Sequence, residues 1–243
     1  MAQKIIVIAG PTAVGKTKFV IELAQKFHGE IVSCDSMQLY KYMDIGSAKP
    51  TIEEQMSVKH YLVDEIDPRE PFSVAEYQRL AKDAIRKISE NGNIPFVSGG
   101  TGLYLNSLVY DMDFADTPGS PVVRKKLQAE IETKGLSALY ARLEELNPKT
   151  ASKIDPHNEV RIIRALEAEE TGHHIGDFSK DLKRNLDYDF IMIGLTRDRE
   201  ELYDRINRRV DILMRKGLVE EVKRLLSMGL TKNDISMKGI GYK

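Results

Sequence analysis

Apolar residues recur along this chain with two periods, and the points where one gives way to the other predict its elements. Residues 4–9 (KIIVIA) form a short aliphatic run that ends at Gly10-Pro11, the pattern of a strand buried on both faces. From Gly15 the spacing turns helical, with Phe19, Val20, Leu23, Ala24 and Phe27 along one side. A second strand is predicted at 30–34. A helix is predicted over 73–90, where Ser73 and Glu76 have the spacing of a capping box. The stretch NGNIPFVSGGTGLYLNSLV (91–109) reads as turn, strand, glycine turn and helix. Residues 188–196 (YDFIMIGLT) read as a further buried strand. Asp198 is placed to cap the helix that follows, which carries Leu202, Ile206, Val210 and Leu213.

Strand and helix thus alternate, with Gly10, Asp35, Gly99 and Thr196 at strand ends. That order predicts an α/β fold with a parallel sheet and right-handed crossovers, whose ligands gather beyond the carboxyl ends of the strands. Between about 112 and 186 the strand signal is missing. Helical patterns at 122–134, 136–146 and 158–171 are joined by NPKTASKIDPHN, and SKDLKRNLD (179–187) leads back. The expected organisation is a discontinuous core of residues 1–115 and 186–243 with an all-helical insertion at 116–185. The final MKGIGYK stops at Lys243 straight after a Gly-X-Gly turn with no closing element, as in a chain cut short.

Composition narrows the class without naming a partner. With 243 residues, 42% of them hydrophobic and 30% charged, the chain has the make-up of an ordinary soluble globular protein. Its net charge of −1 does not attract nucleic acid in bulk, so any such partner requires Lys and Arg clustered on one face. Cys34 is the single cysteine, which rules out an intrachain disulfide and points to a reducing compartment. The first apolar run is too short for a signal peptide or a membrane span, so a cytoplasmic protein with no membrane association is expected. The five histidines show no metal-ligand spacing: His173 and His174 are adjacent and the rest stand alone.

The sharpest local chemistry lies at Gly10-Pro11-Thr12-Ala13-Val14-Gly15-Lys16-Thr17, which matches G-x-x-x-x-G-K-[ST] between a strand and a helix. Successive backbone amides in such a loop form a nest for phosphate oxygens, and the following helix adds its positive end. Lys16 supplies a point charge and the Thr17 hydroxyl a ligand for Mg2+. A structural turn would explain the glycines but not the Lys-Thr pair in register. The loop alone does not identify the molecule carrying the phosphates. Asp35 ends the second strand, but Ser36, Met37 and Gln38 follow at once, and the third strand ends in Gly99-Gly100-Thr101-Gly102 with no acid. By position alone, Asp35 fits a general base, a helix cap or an outer-sphere Mg2+ ligand equally well.

Taken with the ordered segments GPTAVGKT (10–17), SCDSMQLYKYMDIGSAKP (33–50), HYLVDEIDP (60–68), GGTGLY (99–104), RIIRALE (161–167), RINRR (205–209) and KGIGYK (238–243), the chain resembles the tRNA dimethylallyltransferases, also called tRNA isopentenyltransferases. The resemblance spans nearly the whole chain, and its members continue past the Gly-Tyr-Lys segment. It implies a P-loop NTPase-like core that moves a dimethylallyl group from dimethylallyl diphosphate to N6 of an adenosine beside the anticodon of tRNA. It further implies Mg2+ as cofactor, a monomer that grips the anticodon stem-loop, and Asp35 as the base that accepts the N6 proton. Lys16, Thr17 and Arg209 would act on the diphosphate together with the loop, with Arg205 a further phosphate contact.

Ser36, Met37 and Gln38 would line the adenine slot, Gln38 offering both a donor and an acceptor to a base edge. Thr101 would touch the target nucleotide, and its position also suits a cap on the helix after the glycine turn; the two are compatible. Arg124, Arg161 and Arg164 would hold the stem-loop, with Lys238 and Lys243 as further RNA contacts; without the resemblance, those arginines read as a solvated helix face. Three rival readings remain at this point: a P-loop nucleotide kinase, an isopentenyltransferase acting on free adenine nucleotides, and a non-catalytic phosphate- or RNA-binding module. A non-catalytic binding module would leave Asp35 without a role.

Overall fold

The computed structural model describes residues 2–112, 114, 120–172 and 182–243. His173 and His174, and the start of the SKDLKRNLD stretch, lie outside them. The chain divides into two compact units, residues 1–111 with 183–243 and residues 112–182.

The first unit is built on five parallel strands: β1 (Gln3–Ala9), β2 (Gly29–Ser33), β3 (His60–Tyr61), β4 (Ile94–Ser98) and β5 (Tyr188–Gly194), in the spatial order β3-β2-β4-β1-β5. Its helices are α1 (Lys16–Lys26), α2 (Ile52–Ser57), α3 (Val74–Glu90), α4 (Gly102–Val109), α9 (Arg199–Arg215) and α10 (Leu218–Ser227). Parallel strands need crossovers, and the helices that make them bury the sheet on two sides. In one core, Val20, Ile21 and Ala24 of α1 pack on Ile8, Ile31 and Phe96. In a larger one, Tyr77, Ala81 and Ile85 of α3 and Leu108 of α4 pack on Ile5, Val7, Val32 and Val97. The rings of Tyr77 and Tyr104 stack at 4.0 Å.

The capping signals hold. Ser73 accepts from the amide of Glu76 while the Glu76 carboxylate accepts from the amide of Ser73, and Asp198 accepts from the amides of Glu200 and Glu201. The strand at 188–194 is not buried as its apolar run suggests. It lies at the sheet edge, bonded only to β1, and leaves Ile191 64% and Met192 48% exposed. Helix α9 is likewise only half covered: Leu202, Ile206 and Leu213 are intermediate and Val210 is exposed. The elements that the sequence predicts do not include α2, β3 or α10.

The second unit is all-helical among its described residues: α5 (Pro121–Lys134), α6 (Leu136–Leu146), α7 (Pro148–Ala151) and α8 (Glu159–Thr171). Leu127, Leu139, Leu143, Ile162 and Leu166 form its core. No described helix is long and apolar enough to cross a membrane.

Candidate active site

The strand ends of the first unit meet at a cavity of about 500 Å3. Thr12, Ala13, Gly15, Lys16 and Thr17 of the loop between β1 and α1 line it, with Asp35 and Gln38 after β2 and Arg205 and Arg209 from α9. Gly10, Pro11 and Val14 of the same loop are not in this lining.

Ala13 stands at a φ of 65°, a conformation that costs a non-glycine residue about 1 kcal/mol and persists where neighbours enforce it. Those neighbours are cations. Nζ of Lys16 donates to the carbonyls of Gly10 and Pro11, each at 2.8 Å, Nε of Arg197 to Val14 at 3.0 Å and Nε of Arg205 to Ala13 at 2.7 Å. Arg205, the further phosphate contact expected, lines the cavity, and its Nε holds the loop. The opening amides of α1 have no carbonyl within the helix to bond.

Burial pushes the pKa of Lys16 below its ordinary value; Asp35 opposes that fall and Arg209 adds to it. Burial likewise lowers Arg209, again opposed by Asp35. Two cations and one carboxylate thus share a partly desolvated space, where each interaction is stronger than in water.

Asp35 sits on a turn it makes itself: Oδ1 accepts from the amides of Met37 at 2.9 Å and Gln38 at 3.3 Å. The end of β4 closes against it. A side-chain carbon at Gly99 would lie 2.0 Å from the Cys34 carbonyl, so only glycine permits that approach. Thr101 does not act as a side-chain cap, although it occupies the N-cap position of α4. Its Oγ1 accepts from the amide of Ser36 at 3.0 Å and lies 3.3 Å from the Ser36 hydroxyl, because the adjacent strand ends bring the two turns together. Cys34 is buried, which pushes its thiol up to about 12 and keeps it out of nucleophilic chemistry at neutral pH.

Other expected residues lie elsewhere. Ser36, Met37 and Thr101 are near the cavity in sequence but are not in its lining. Lys238, in a 3-10 turn at Ser236–Lys238, and Lys243 are exposed in the first unit. Arg124, Arg161 and Arg164 belong to the second unit. Arg161 and Arg164 do not present a common free face: Arg164 Nη1 donates to Glu167 Oε2 at 2.7 Å, and Arg124 reaches the same buried carboxylate at 3.0 Å. Sequence reading missed Ser33, Ala48, Pro50, His60 and Arg208, all in the cavity wall. The segments carrying Ala48, Pro50 and His60 had been recognised as motifs, but nothing in their spacing marks a wall. His60 Nδ1 is 2.7 Å from the Val58 carbonyl, and burial lowers its pKa.

The sequence profile of the IPP transferase family matches residues 38–243. The tRNA dimethylallyltransferase of Alkaliphilus oremlandii is 53% identical over 244 residues, covering 100% of this chain and 78% of that protein. The enzyme of the same name from Clostridioides difficile is 53% identical, covering 98% and 77%. Among solved structures, the full-length tRNA isopentenylpyrophosphate transferase of Bacillus halodurans superposes with a TM-score of 0.68 at 44% identity, over 99% of this chain and 75% of that one. A eukaryotic dimethylallyltransferase acting on tRNA gives a TM-score of 0.78 at 30% identity, over 93% and 56%. These neighbours carry the P-loop NTPase-like fold seen here. An identity of about one half along the entire length, joined to a profile match over most of it, means that the chain belongs to the IPP transferase family.

Proposed function

We propose that this protein is a tRNA dimethylallyltransferase, which moves the five-carbon group of dimethylallyl diphosphate to N6 of an adenosine beside the anticodon and releases diphosphate. The observation that carries the reading is that the phosphate loop, Arg209, Asp35 and Gln38 all open into one cavity, in a chain half identical to enzymes of that name.

The exocyclic amine of adenine is a weak nucleophile because its lone pair is delocalised into the ring. The leaving group must therefore be made good, and the amine must lose a proton as the N–C bond forms. Loop amides, Lys16 and Arg209 stabilise the negative charge that grows on the diphosphate as the C–O bond breaks. Arg205 serves the same end by fixing the loop. Asp35 takes the proton from N6 as N6 bonds to the isoprenoid carbon. Val20, Ile31, Ala48 and Pro50 give the cavity apolar wall that suits a hydrocarbon tail.

No group of three or more acidic, Cys or His side chains capable of caging a metal occurs among the described residues. Thr17 with substrate phosphate oxygens is nonetheless the donor set that Mg2+ accepts, since that ion seldom uses an all-protein cage. Bound there, Mg2+ would neutralise diphosphate charge.

To reach N6, the adenosine must leave its stack, which costs a few kcal/mol and least in a single-stranded loop. The helical segment at 116–185, with Arg161 and with Arg124 and Arg164 on Glu167, is the proposed grip on the anticodon stem-loop. Lys238 and Lys243 add contacts from the core, whose segments are 1–115 and 186–243, both lysines lying in the second.

The test is a mass spectrum of an unmodified anticodon stem-loop RNA, with adenosine 3′ of the anticodon, after incubation with the chain, Mg2+ and dimethylallyl diphosphate. A gain of one C5H8 unit, absent when ATP replaces the isoprenoid, is expected. ATP consumption without prenylation would overturn the reading in favour of a nucleotide kinase. Prenylation of free adenosine monophosphate but not of the RNA would move the substrate to nucleotides.

A further inference from the structure

Glu221 of α10 is buried, its side chain only 2% exposed, far along the chain from the phosphate loop. A buried carboxylate is costly unless its oxygens are filled with hydrogen bonds. These are: Oε2 accepts from the amides of Asp44 and Ile45, each at 2.9 Å, and Oε1 from Gly46 at 3.0 Å. The hydroxyl of Tyr242 donates to Oε1 at 2.7 Å and accepts from the amide of Ser47 at 3.0 Å. Two side chains therefore hold four successive amides, 44 to 47. The fit leaves no slack, because a side-chain carbon at Gly46 would stand 2.5 Å from the Tyr242 ring.

The held segment leads directly into the cavity wall. Ala48, at a φ of 47°, turns its carbonyl to Gln38, whose Nε2 donates to it at 3.2 Å. Gln38 Oε1 accepts from the Ser33 hydroxyl at 3.1 Å. A hydroxyl can donate or accept, so Ser33 does not decide which end of the amide is nitrogen. A carbonyl only accepts, so Ala48 does. The position of one backbone carbonyl thus fixes the donor–acceptor polarity of the Gln38 side chain. Polarity matters for a purine: the Watson–Crick edge of adenine sets a donor at N6 beside an acceptor at N1, and that of guanine reverses both.

We propose that Glu221 and Tyr242 are positioning residues that set adenine selectivity: they clamp residues 44–47, the clamp fixes the Ala48 carbonyl, and that carbonyl holds Gln38 in the orientation that matches adenine and opposes guanine. This rests on the reading of the protein as a transferase acting on adenosine, and on Gln38 meeting the base.

The test compares the wild-type chain with Glu221→Gln and Tyr242→Phe. The second variant keeps the ring that packs on Gly46 and removes only the hydroxyl, so it covers the case in which Glu221→Gln fails to fold. Steady-state prenylation gives kcat and both KM values. Competition with a stem-loop carrying guanosine at the target position gives the guanosine-to-adenosine affinity ratio. In both variants the KM for RNA rises by about 10-fold and the affinity ratio moves toward one, while the KM for dimethylallyl diphosphate stays at its wild-type value. An unchanged ratio in an active variant overturns the proposal, as does a fall in kcat alone, which a loss of folded protein would produce. Wild-type chain that prenylates no RNA instead sinks the transferase reading, and adenine selectivity falls with it. Deuterium exchange at amides 44–47 then decides whether the clamp itself exists, with faster exchange in Tyr242→Phe expected.

Discussion

Arg205 donates from Nε to the carbonyl of Ala13 at 2.7 Å, and Ala13 is the loop residue held at a φ of 65°. The guanidinium therefore braces the phosphate loop at its strained residue. A lysine in its place keeps the charge but loses the planar donor aimed at that carbonyl. Hydrogen bonds involving a charged group contribute about 1.5–3 kcal/mol, so Arg205→Lys is expected to raise the KM for dimethylallyl diphosphate by about 10-fold or more. Steady-state kinetics at saturating RNA measures it; an unchanged KM would show that the loop holds its shape without the brace.

Asp35 makes a turn and is the proposed base, and one substitution separates the two. Its Oδ1 closes the turn onto Met37 and Gln38, and an asparagine oxygen can do the same. Asparagine cannot accept the N6 proton. Asp35→Asn is therefore expected to lower single-turnover prenylation at least ~100-fold with diphosphate binding intact, whereas Asp35→Ala also loosens the turn. Near-normal turnover in Asp35→Asn would mean that the proton leaves by another route.

What could be read from the chain beforehand follows the reach of each interaction. The phosphate loop, the Ser73 and Asp198 caps and the strand ends at Asp35 and Gly99 are local, so eight or fewer consecutive residues disclose them. Glu221 meets Gly46 across 175 positions. Nothing near Glu221 tells that its carboxylate turns inward, although Gly217 followed by Leu218, Val222 and Leu225 does signal the start of a helix. Strand β5 failed for a related reason. An apolar run shows that a strand is present, but whether it is central or at an edge depends on the order of all five strands. Arg164 and Arg124 read from sequence as a solvated helix face, yet both donate to Glu167, three residues on from Arg164 and on a different helix from Arg124.

That difference separates the arginines in their response to salt. Arg161 is exposed on α8, and the Asn158 side chain bonds only its backbone amide. If it contacts tRNA phosphate, Arg161→Ala reduces the slope of log affinity against log salt by about 1 and leaves thermal stability unchanged. Anisotropy titrations of a labelled stem-loop over a salt series read the slope. A slope identical to wild type would remove Arg161 from the interface.

Glu167 is the buried carboxylate among the described residues of the helical unit. Its side chain is 0% exposed and accepts from the amide of Ser120 at 2.7 Å, from Arg124 at 3.0 Å and from Arg164 at 2.7 Å. Burial alone would raise its pKa, but the two guanidinium groups and the amide outweigh burial and hold the carboxyl below its ordinary value. A folded-state pKa below the unfolded one means that folding favours the ionised form. The resulting stability is fully present above the unfolded value of about 4.3 and drains away as pH falls through the folded value. Removing the charge leaves two arginines facing a site built for a carboxylate, but their side chains are 47% and 35% exposed, so water screens them and the cost stays below that of breaking a fully buried pair. Glu167→Gln is thus expected to lower the melting temperature at pH 7 and to flatten the loss of stability below about pH 4.3, since the group that titrates there has gone. Melting curves of both proteins across that range decide the point: an acid-induced loss as steep in Glu167→Gln as in wild type would assign the sensitivity to other carboxylates.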